Sequence, residues 1–324
     1  METAIVTGVA GFIGSNLAEK LLENKFKVIG IDNFTNYYPK EIKENNLIPC
    51  LQNKNFTFIK EDLFNADLIS IFKNCQYLFH MAAQPGVRTS WGNQFQTYVK
   101  ENILVTQRIL ECAKSTKSFK KIIIASSSSV YGNQAGKMNE ESTILRPESP
   151  YGVSKLAAEN LCRIYAENFE LPITSLRYFT VYGPRQRPEM AFMRFIISAL
   201  TKHPIVIYGD GNQTRDFTYI DDIINATFAA IENKTSEKIF NVGGGHVVSI
   251  NDVIKILEDI LELELTISHQ PKQKGDVIHT ESDILKAFKF LNYKPRMKIN
   301  TGLLKAVEYA KNNMTLYAKL YHNY

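Results

Sequence analysis

The sequence predicts an α/β protein, a doubly wound parallel sheet with a smaller second domain, on three observations. Short β-branched runs alternate with amphipathic helical stretches through the first half of the 324 residues, the pattern of parallel strands joined by crossover helices. A glycine-rich turn, TGVAGFIG, joins the first run to the first helix. The alternation breaks down after Tyr182, where Pro184, Pro188 and Pro204 with Gly209 and Gly211 punctuate residues 183–215.

The expected strands are AIVTG (4–8), KVIGID (27–32), FTFIKED (56–62), YLFHMAA (77–83), KIIIASSS (121–128) and ITSLRYF (173–179), giving a sheet of six or more strands. Helical periodicity is clearest in IGSNLAEKLLEN (13–24), FQTYVKENILVTQRILECAK (95–114) and KLAAENLCRIYAENF (155–169). Residues 183–215 read as loops and short elements over the carboxyl ends of the strands. DDIINATFAAIEN (221–233) and KIFNVGGG (238–245) read as a helix and a strand that return to the main sheet. INDVIKILEDILEL and GLLKAVEYAKNN are helices of the second domain. The expected division is 1–180 plus about 220–248 for the sheet domain, and 181–219 plus 249–324 for the smaller one.

Lys and Arg exceed Asp and Glu by 38 to 33, without the clustered basic runs of a nucleic-acid binder, so a small anionic ligand is the expected partner. Cys50, Cys75, Cys112 and Cys162 are scattered, with no C-x-x-C pair and no His at zinc-ligand spacing. They read as buried thiols in a reducing compartment, and no metal site is expected. METAIVTG enters a strand at once and lacks the features of a signal peptide. No apolar run approaches the about 18 residues of a membrane span, so a cytoplasmic protein is expected.

In TGVAGFIGSNLAEKL, Gly8, Gly11 and Gly14 stand between a strand and a helix. There the backbone must turn sharply and approach a diphosphate closely, and the helix start offers free N–H groups and positive dipole. Asp32 closes the second strand 24 residues after Gly8, placed to accept hydrogen bonds from both hydroxyls of an adenosine ribose and to repel a 2′-phosphate. That favours NAD over NADP. Asp62, at the end of the third strand, is placed to meet the adenine amino group. Phe12, Ile13, Asn33, Leu63 and Ala82 complete the expected cofactor contacts.

SPYGVSKLAAE starts a helix with Pro150 suited to its first turn, and Tyr151 and Lys155, four apart, share a face. A free tyrosine, with a pKa of about 10, is a poor base at neutral pH. A lysine ammonium and a nicotinamide charge beside it favour phenolate, and bringing the pKa near 7 asks for roughly 4 kcal/mol. Tyr151 is then the general acid and base. Alone, Tyr-x-x-x-Lys is common on helices; here it follows a strand ending in ASSSSVYG, whose hydroxyls lie at the rim where ligands of such sheets bind.

With these motifs assembled, the chain resembles the extended short-chain dehydrogenase/reductase family, and within it the nucleotide-sugar 4-epimerases, over nearly its whole length. TGVAGFIG, DNF, HMAAQ, SSSSVYG, SPYGVSK, LRYFTVYGP, IYGDGNQTRDFTYIDD and NVGGG stand in family order. The resemblance implies a Rossmann-type domain, bound NAD and a UDP-sugar substrate. It also implies a homodimer paired through the helices at 95–114 and 155–169, whose apolar faces could equally pack on their own sheet. Ser127 matches the family's catalytic hydroxyl, Asn102 in ENILVTQ its helix asparagine, and Tyr151 and Lys155 its base and pKa tuner.

Related dehydratases and decarboxylases carry a Glu just before Val-Tyr-Gly; Ser128 and Ser129 stand there, so a plain epimerase fits better. DNFTNYYP (32–39), QPGVRTS (84–90) and GPRQRPEMAF (183–192) resemble the epimerases of UDP-glucuronate. One of Arg185 and Arg187, with Arg187 preferred, would hold the C6 carboxylate with Thr180, and the other would be a solvated loop charge. Arg88 is expected beside the diphosphate, Arg215 in QTRDF against UDP, and Asp276 in KGDV at the uridine ribose. His80 reads as a packed strand residue. The rival readings are a UDP-glucose or UDP-N-acetylglucosamine 4-epimerase, a UDP-glucuronate decarboxylase, and a non-catalytic NAD-binding scaffold.

Overall fold

A computed structural model describes residues 1–321. Its first half runs β1 (Thr3–Thr7), α1 (Phe12–Glu23), β2 (Lys27–Ile31), α2 (Lys40–Leu51), β3 (Phe56–Ile59), α3 (Leu68–Phe72) and β4 (Tyr77–His80). α4 (Phe95–Tyr98) passes through a π-helical stretch, Val99–Leu104, into α5 (Val105–Lys114), followed by β5 (Lys121–Ser127), α6 (Pro150–Phe169) and β6 (Ile173–Tyr178). The rest comprises β7 (Thr180–Tyr182), α7 (Ala191–Leu200), β8 (Ile205–Tyr208), β9 (Thr214–Tyr219), α8 (Ile220–Ala229), β10 (Ile239–Val242), β11 (Val247–Ser249), α9 (Ile250–Leu261), β12 (Ile267–Gln270), α10 (Leu285–Leu291), α11 (Ile299–Asn312) and α12 (Met314–Tyr321).

Seven strands form the central sheet in the order β10-β6-β5-β4-β1-β2-β3, every pair parallel. The strands are apolar on both faces because helices cover both. Ile5, Leu78, Ile122 and Ile124 face Val105, Ile109 and Tyr165 of α5 and α6, while Ala4, Val6, Phe79 and Ile123 join the core that holds Leu17 and Leu21 of α1. Winding runs outward from β1 to β3 and then returns to β4, which lies on the other side of β1. The carboxyl ends of β1 and β4 therefore flank the crevice where ligands of such sheets bind.

Two small sheets, β11-β9-β7 and β12-β8, stand apart from the central one. Residues 183–215 depart from the expectation of loops and short elements, for they contain the ten-residue α7. AFMRFIISAL is buried on nearly every side, so it lacks the polar face by which a surface helix announces itself. α2 carries little helical signal in the sequence, for its apolar positions are sparse and Pro49 interrupts it. Among the described residues no helix is long and apolar enough to cross a membrane, and no group of His, Cys, Asp or Glu is arranged to hold a metal ion.

Candidate active site

A cleft of about 410 Å³ opens at the carboxyl ends of the central strands. Its floor is the turn between β1 and α1. Gly8 has φ +67°, and a Cβ there would lie 2.8 Å from the Cα of Ala82 on the neighbouring β4 loop. A Cβ on Gly14 would run into the carbonyl of Gly8. Gly11 is the N-cap of α1, with no side-chain cap and no acid in the first turn, so the helix presents bare amides and positive dipole to the cleft. Phe12, Ile13, Asn33, Leu63 and Ala82 line the same space. The shape and free donors fit a dinucleotide diphosphate.

Asp32 lies at the end of β2, where its Oδ2 accepts from the Ala10 amide at 3.1 Å and its Oδ1 from the Phe34 amide at 2.8 Å. Burial pushes its carboxyl up, against those amides and Lys43. Each oxygen keeps a lone pair for a ribose hydroxyl. Asp62 is arranged differently from expectation. Its carboxylate accepts from Lys100 Nζ at 2.8 Å and from the Phe64 amide at 2.9 Å, and the cleft wall beside it is made by Glu61 and Leu63. Burial works against its charge, but these partners hold its carboxyl below the usual range.

Tyr151 and Lys155 face the cleft from the first turns of α6, which Ser149 caps through the Gly152 amide at 3.1 Å. Ser127, Ser128 and Ser129 meet them from the end of β5, and Thr180 from the start of β7. Burial pushes the Tyr151 phenol up; the Ser127 hydroxyl and Arg187 pull it down, and Tyr98 adds to the rise. The net shift is upward, so these residues alone keep Tyr151 protonated. Lys155 donates to the Ala125 carbonyl of β5, and burial lowers its pKa to about 8 against Cys162 and Glu159. Of the two cations expected to favour phenolate, the Lys155 ammonium and the nicotinamide, the lysine is not among the groups that move the Tyr151 phenol here.

Asn102 does not reach the cleft. Its side chain accepts from the Gln84 amide at 2.7 Å and donates to the Gln84 carbonyl at 3.0 Å and to Ser154 Oγ at 2.9 Å. With its side-chain oxygen and amide engaged by Gln84 and Ser154, it ties the β4 loop to α6. His80 is buried between Thr7 and Thr106, and burial lowers its pKa to about 3.

The two arginines of GPRQRPEM diverge. Arg187 lines the cleft, donates through Nε to Glu189 at 2.7 Å, and finds no hydrogen-bond partner for its terminal nitrogens among the described residues. Burial disfavours its charge, yet Glu189 and the nearby Tyr37 and Tyr38 hold its pKa above the ordinary arginine value. Arg185, with φ +67°, turns to α1 and pairs with Glu19 at 2.6 Å. It is 14% exposed and Glu19 30%, a half-buried structural ion pair rather than a solvated loop charge.

A second cavity of about 150 Å³ shares Val87, Ser128, Ser129 and Thr180 with the first and continues to Arg215 and Asp276. Arg88 and Asp276, expected to act separately on a nucleotide, bond to each other at 2.7 and 3.2 Å, with the guanidinium 4.1 Å from the Tyr208 ring centre. Arg215 donates to the Val277 carbonyl at 2.5 Å and the Thr214 carbonyl at 2.8 Å. Sequence reasoning missed Lys43, Gln84, Glu101 and Met190 in the main cleft, and Glu148 and Ser149 in the second. Lys43 lies on α2, which carries no motif; Glu101 opens ENILVTQ beside Asn102, and Ser149 opens SPYGVSK with Glu148 just before it, so for these three the neighbouring motif was the available signal.

Residues 4–243 match the model of the NAD dependent epimerase/dehydratase family. The UDP-glucuronate 4-epimerase of Thermodesulfobacterium geofontis is 40% identical over 96% of this chain and 97% of its own. The uncharacterized UDP-glucose epimerase YtcB of Bacillus subtilis is 45% identical over 94% and 96%. The crystal structure of UDP-glucuronic acid 4-epimerase from Bacillus cereus, in complex with UDP-glucuronic acid and NAD, superposes with a TM-score of 0.94 at 46% identity, covering 96% of this chain and 99% of that one. A glycine turn that fits a dinucleotide, a Tyr–Lys pair under a serine-edged strand and a family match across three quarters of its length make this chain a member of the NAD dependent epimerase/dehydratase family.

Proposed function

We propose that the chain is an isomerase that inverts C4 of UDP-glucuronate and UDP-galacturonate through a transient 4-keto sugar. The observation that carries this reading is Arg187: a charged guanidinium with free terminal nitrogens lines the same cleft as Tyr151, Ser127 and Thr180. When bound, NAD would supply a reversible acceptor for the C4 hydrogen and a positive ring charge. Gly8, Gly11, Gly14 and the first turn of α1 hold its diphosphate, and Asp32 its ribose.

Tyr151 takes the C4 hydroxyl proton as the carbonyl forms and gives it back after the sugar has turned over. Ser127 holds the oxygen against the phenol, and Lys155 keeps positive charge below it. The 4-keto form of a uronic acid is a β-keto acid, which loses carbon dioxide when its C5–C6 bond aligns with the carbonyl π system. Arg187 and Thr180, by pinning the carboxylate, restrain that alignment. Arg215, with the Arg88–Asp276 pair at the second cavity, receives the uridine diphosphate. Residues 1–180 plus about 220–248 then form the NAD domain and 181–219 plus 249–324 the UDP-sugar domain. The enzyme acts in the cytoplasm as a homodimer, its exposed Val153, Ile164 and Leu104 on the α5–α6 side supporting that pairing.

A second reading, with UDP-glucose as the sugar, is supported by the name of the Bacillus subtilis relative. Presenting UDP-glucuronate, UDP-glucose and UDP-N-acetylglucosamine in parallel and reading products by NMR decides between them. UDP-galacturonate as the dominant product is expected. Turnover confined to the neutral sugars would overturn the assignment, and absence of turnover on all three despite bound NAD would mark a scaffold.

A further inference from the structure

Glu189 has no role in the account so far, yet its carboxylate is bound to the guanidinium that meets the sugar. The connection between the two residues is stiff. Pro188 fixes the backbone between them, and the Met190 amide closes the turn on the Arg187 carbonyl at 3.1 Å just before α7 begins. Glu189 accepts the Nε–H of Arg187 at 2.7 Å, while its other oxygen, Oε2, is buried with no hydrogen-bond partner. The Tyr37 ring, 5.9 Å from the guanidinium carbon, closes the other side.

A guanidinium can meet a carboxylate through its Nε side or through its two terminal nitrogens. With Nε taken by Glu189, the terminal edge is what remains, and Arg187 lines the cleft. We propose that Glu189 is a positioning residue that locks Arg187 so that its terminal nitrogens, rather than its Nε edge, receive the carboxylate of the substrate sugar. This rests on the reading of the site as one for a UDP-uronate. An unlocked arginine would still attract the carboxylate, but in several geometries, some of which bring the C5–C6 bond into line with the C4 carbonyl. Glu189 thus acts on the fidelity of the reaction through another residue.

A merely structural role, such as placing negative charge at the start of α7, predicts that every ligand is affected alike. The test uses the full-length, NAD-loaded protein with Glu189→Ala and Glu189→Gln. Calorimetry measures UDP and UDP-glucuronate binding, and NMR measures UDP-galacturonate against UDP-pentose. Glu189→Ala should weaken UDP-glucuronate by about tenfold relative to UDP and raise the pentose fraction several-fold. Glu189→Gln, which keeps the acceptor and removes the charge, should bind UDP-glucuronate at least as well as the native protein and keep its product purity. Equal losses for UDP and UDP-glucuronate, or Glu189→Ala kinetics and purity matching the native protein, would overturn the role of Glu189 alone. Failure of the native protein to convert UDP-glucuronate would instead overturn the functional assignment beneath it.

Discussion

The two walls of the cleft are built from different materials. On the β1–α1 side the ligand meets backbone: the amides of a bare helix start and a turn so close that a methyl group on Gly8 would strike Ala82. On the opposite side, formed by the β4 loop and the residues after β6, it meets side chains that are themselves held by other side chains, Arg187 by Glu189 and Arg88 by Asp276. The first wall recognises what all dinucleotides share, and changing it means changing the fold. The second can be altered one side chain at a time, so on the proposed reading it is where one sugar would be told from another. Tyr151 stands between them, raised by burial and answerable to charge from either wall.

Single substitutions can break or sharpen this contrast. Tyr151→Phe should cut kcat by about a thousandfold while leaving bound NAD and UDP affinity intact; a loss below tenfold would show that another group moves the proton. Gly8→Ala attacks the backbone wall, combining a left-handed φ with a clash against Ala82. NAD affinity should fall by roughly a hundredfold, measured by cofactor retained after gel filtration; full retention would contradict the close approach.

On the side-chain wall, the two neighbouring arginines should behave oppositely. Arg187→Ala is expected to raise KM for UDP-glucuronate by about thirtyfold and to increase pentose formation. Arg185→Ala should leave KM within about twofold and instead lower stability by about 1–2 kcal/mol, because Glu19 loses its partner. Matching kinetic effects would erase the distinction drawn between them.

The smallest effect concerns stability against pH. Lys155 titrates at about 8 in the folded protein, below an unfolded lysine near 10.5, so between those values the unfolded chain binds the extra proton. Its burial is therefore a penalty at neutral pH that fades as pH rises through this window. The stability advantage of Lys155→Met over the native, cofactor-free protein should shrink by at most about 1.4 kcal/mol per pH unit there. An advantage independent of pH would mean that folded and unfolded chains bind this proton alike, so that the cleft leaves Lys155 at its ordinary pKa.

The backbone wall was legible in the sequence because its determinants are local. Gly8, Gly11, Gly14 and Asp32 act through their own conformation or through a strand end that periodicity locates, and Tyr151 and Lys155 meet because they are one helical turn apart. The second wall was legible in composition but not in pairing. Arg88 and Asp276 lie 188 residues apart and bond to each other; on the first wall, too, Asp62 is taken by Lys100 across 38 residues. No one-dimensional pattern reports such partners. Arg185 and Arg187 look equivalent in the chain; a left-handed backbone at Arg185 sends one to α1 and the other to the cleft. Glu189 stood in plain view two residues beyond Arg187, and what hid it was that its ligand is a side chain of the same protein.

The account stands on inversion at C4 by removal and return of the same hydrogen, with Tyr151 handling only the oxygen-bound proton. The most direct test is conversion of UDP-glucuronate by the native protein in heavy water, with the product read by NMR. The account predicts UDP-galacturonate whose C4 position retains protium. Solvent deuterium at C4 would contradict it, because that hydrogen would then have left the cleft as a proton.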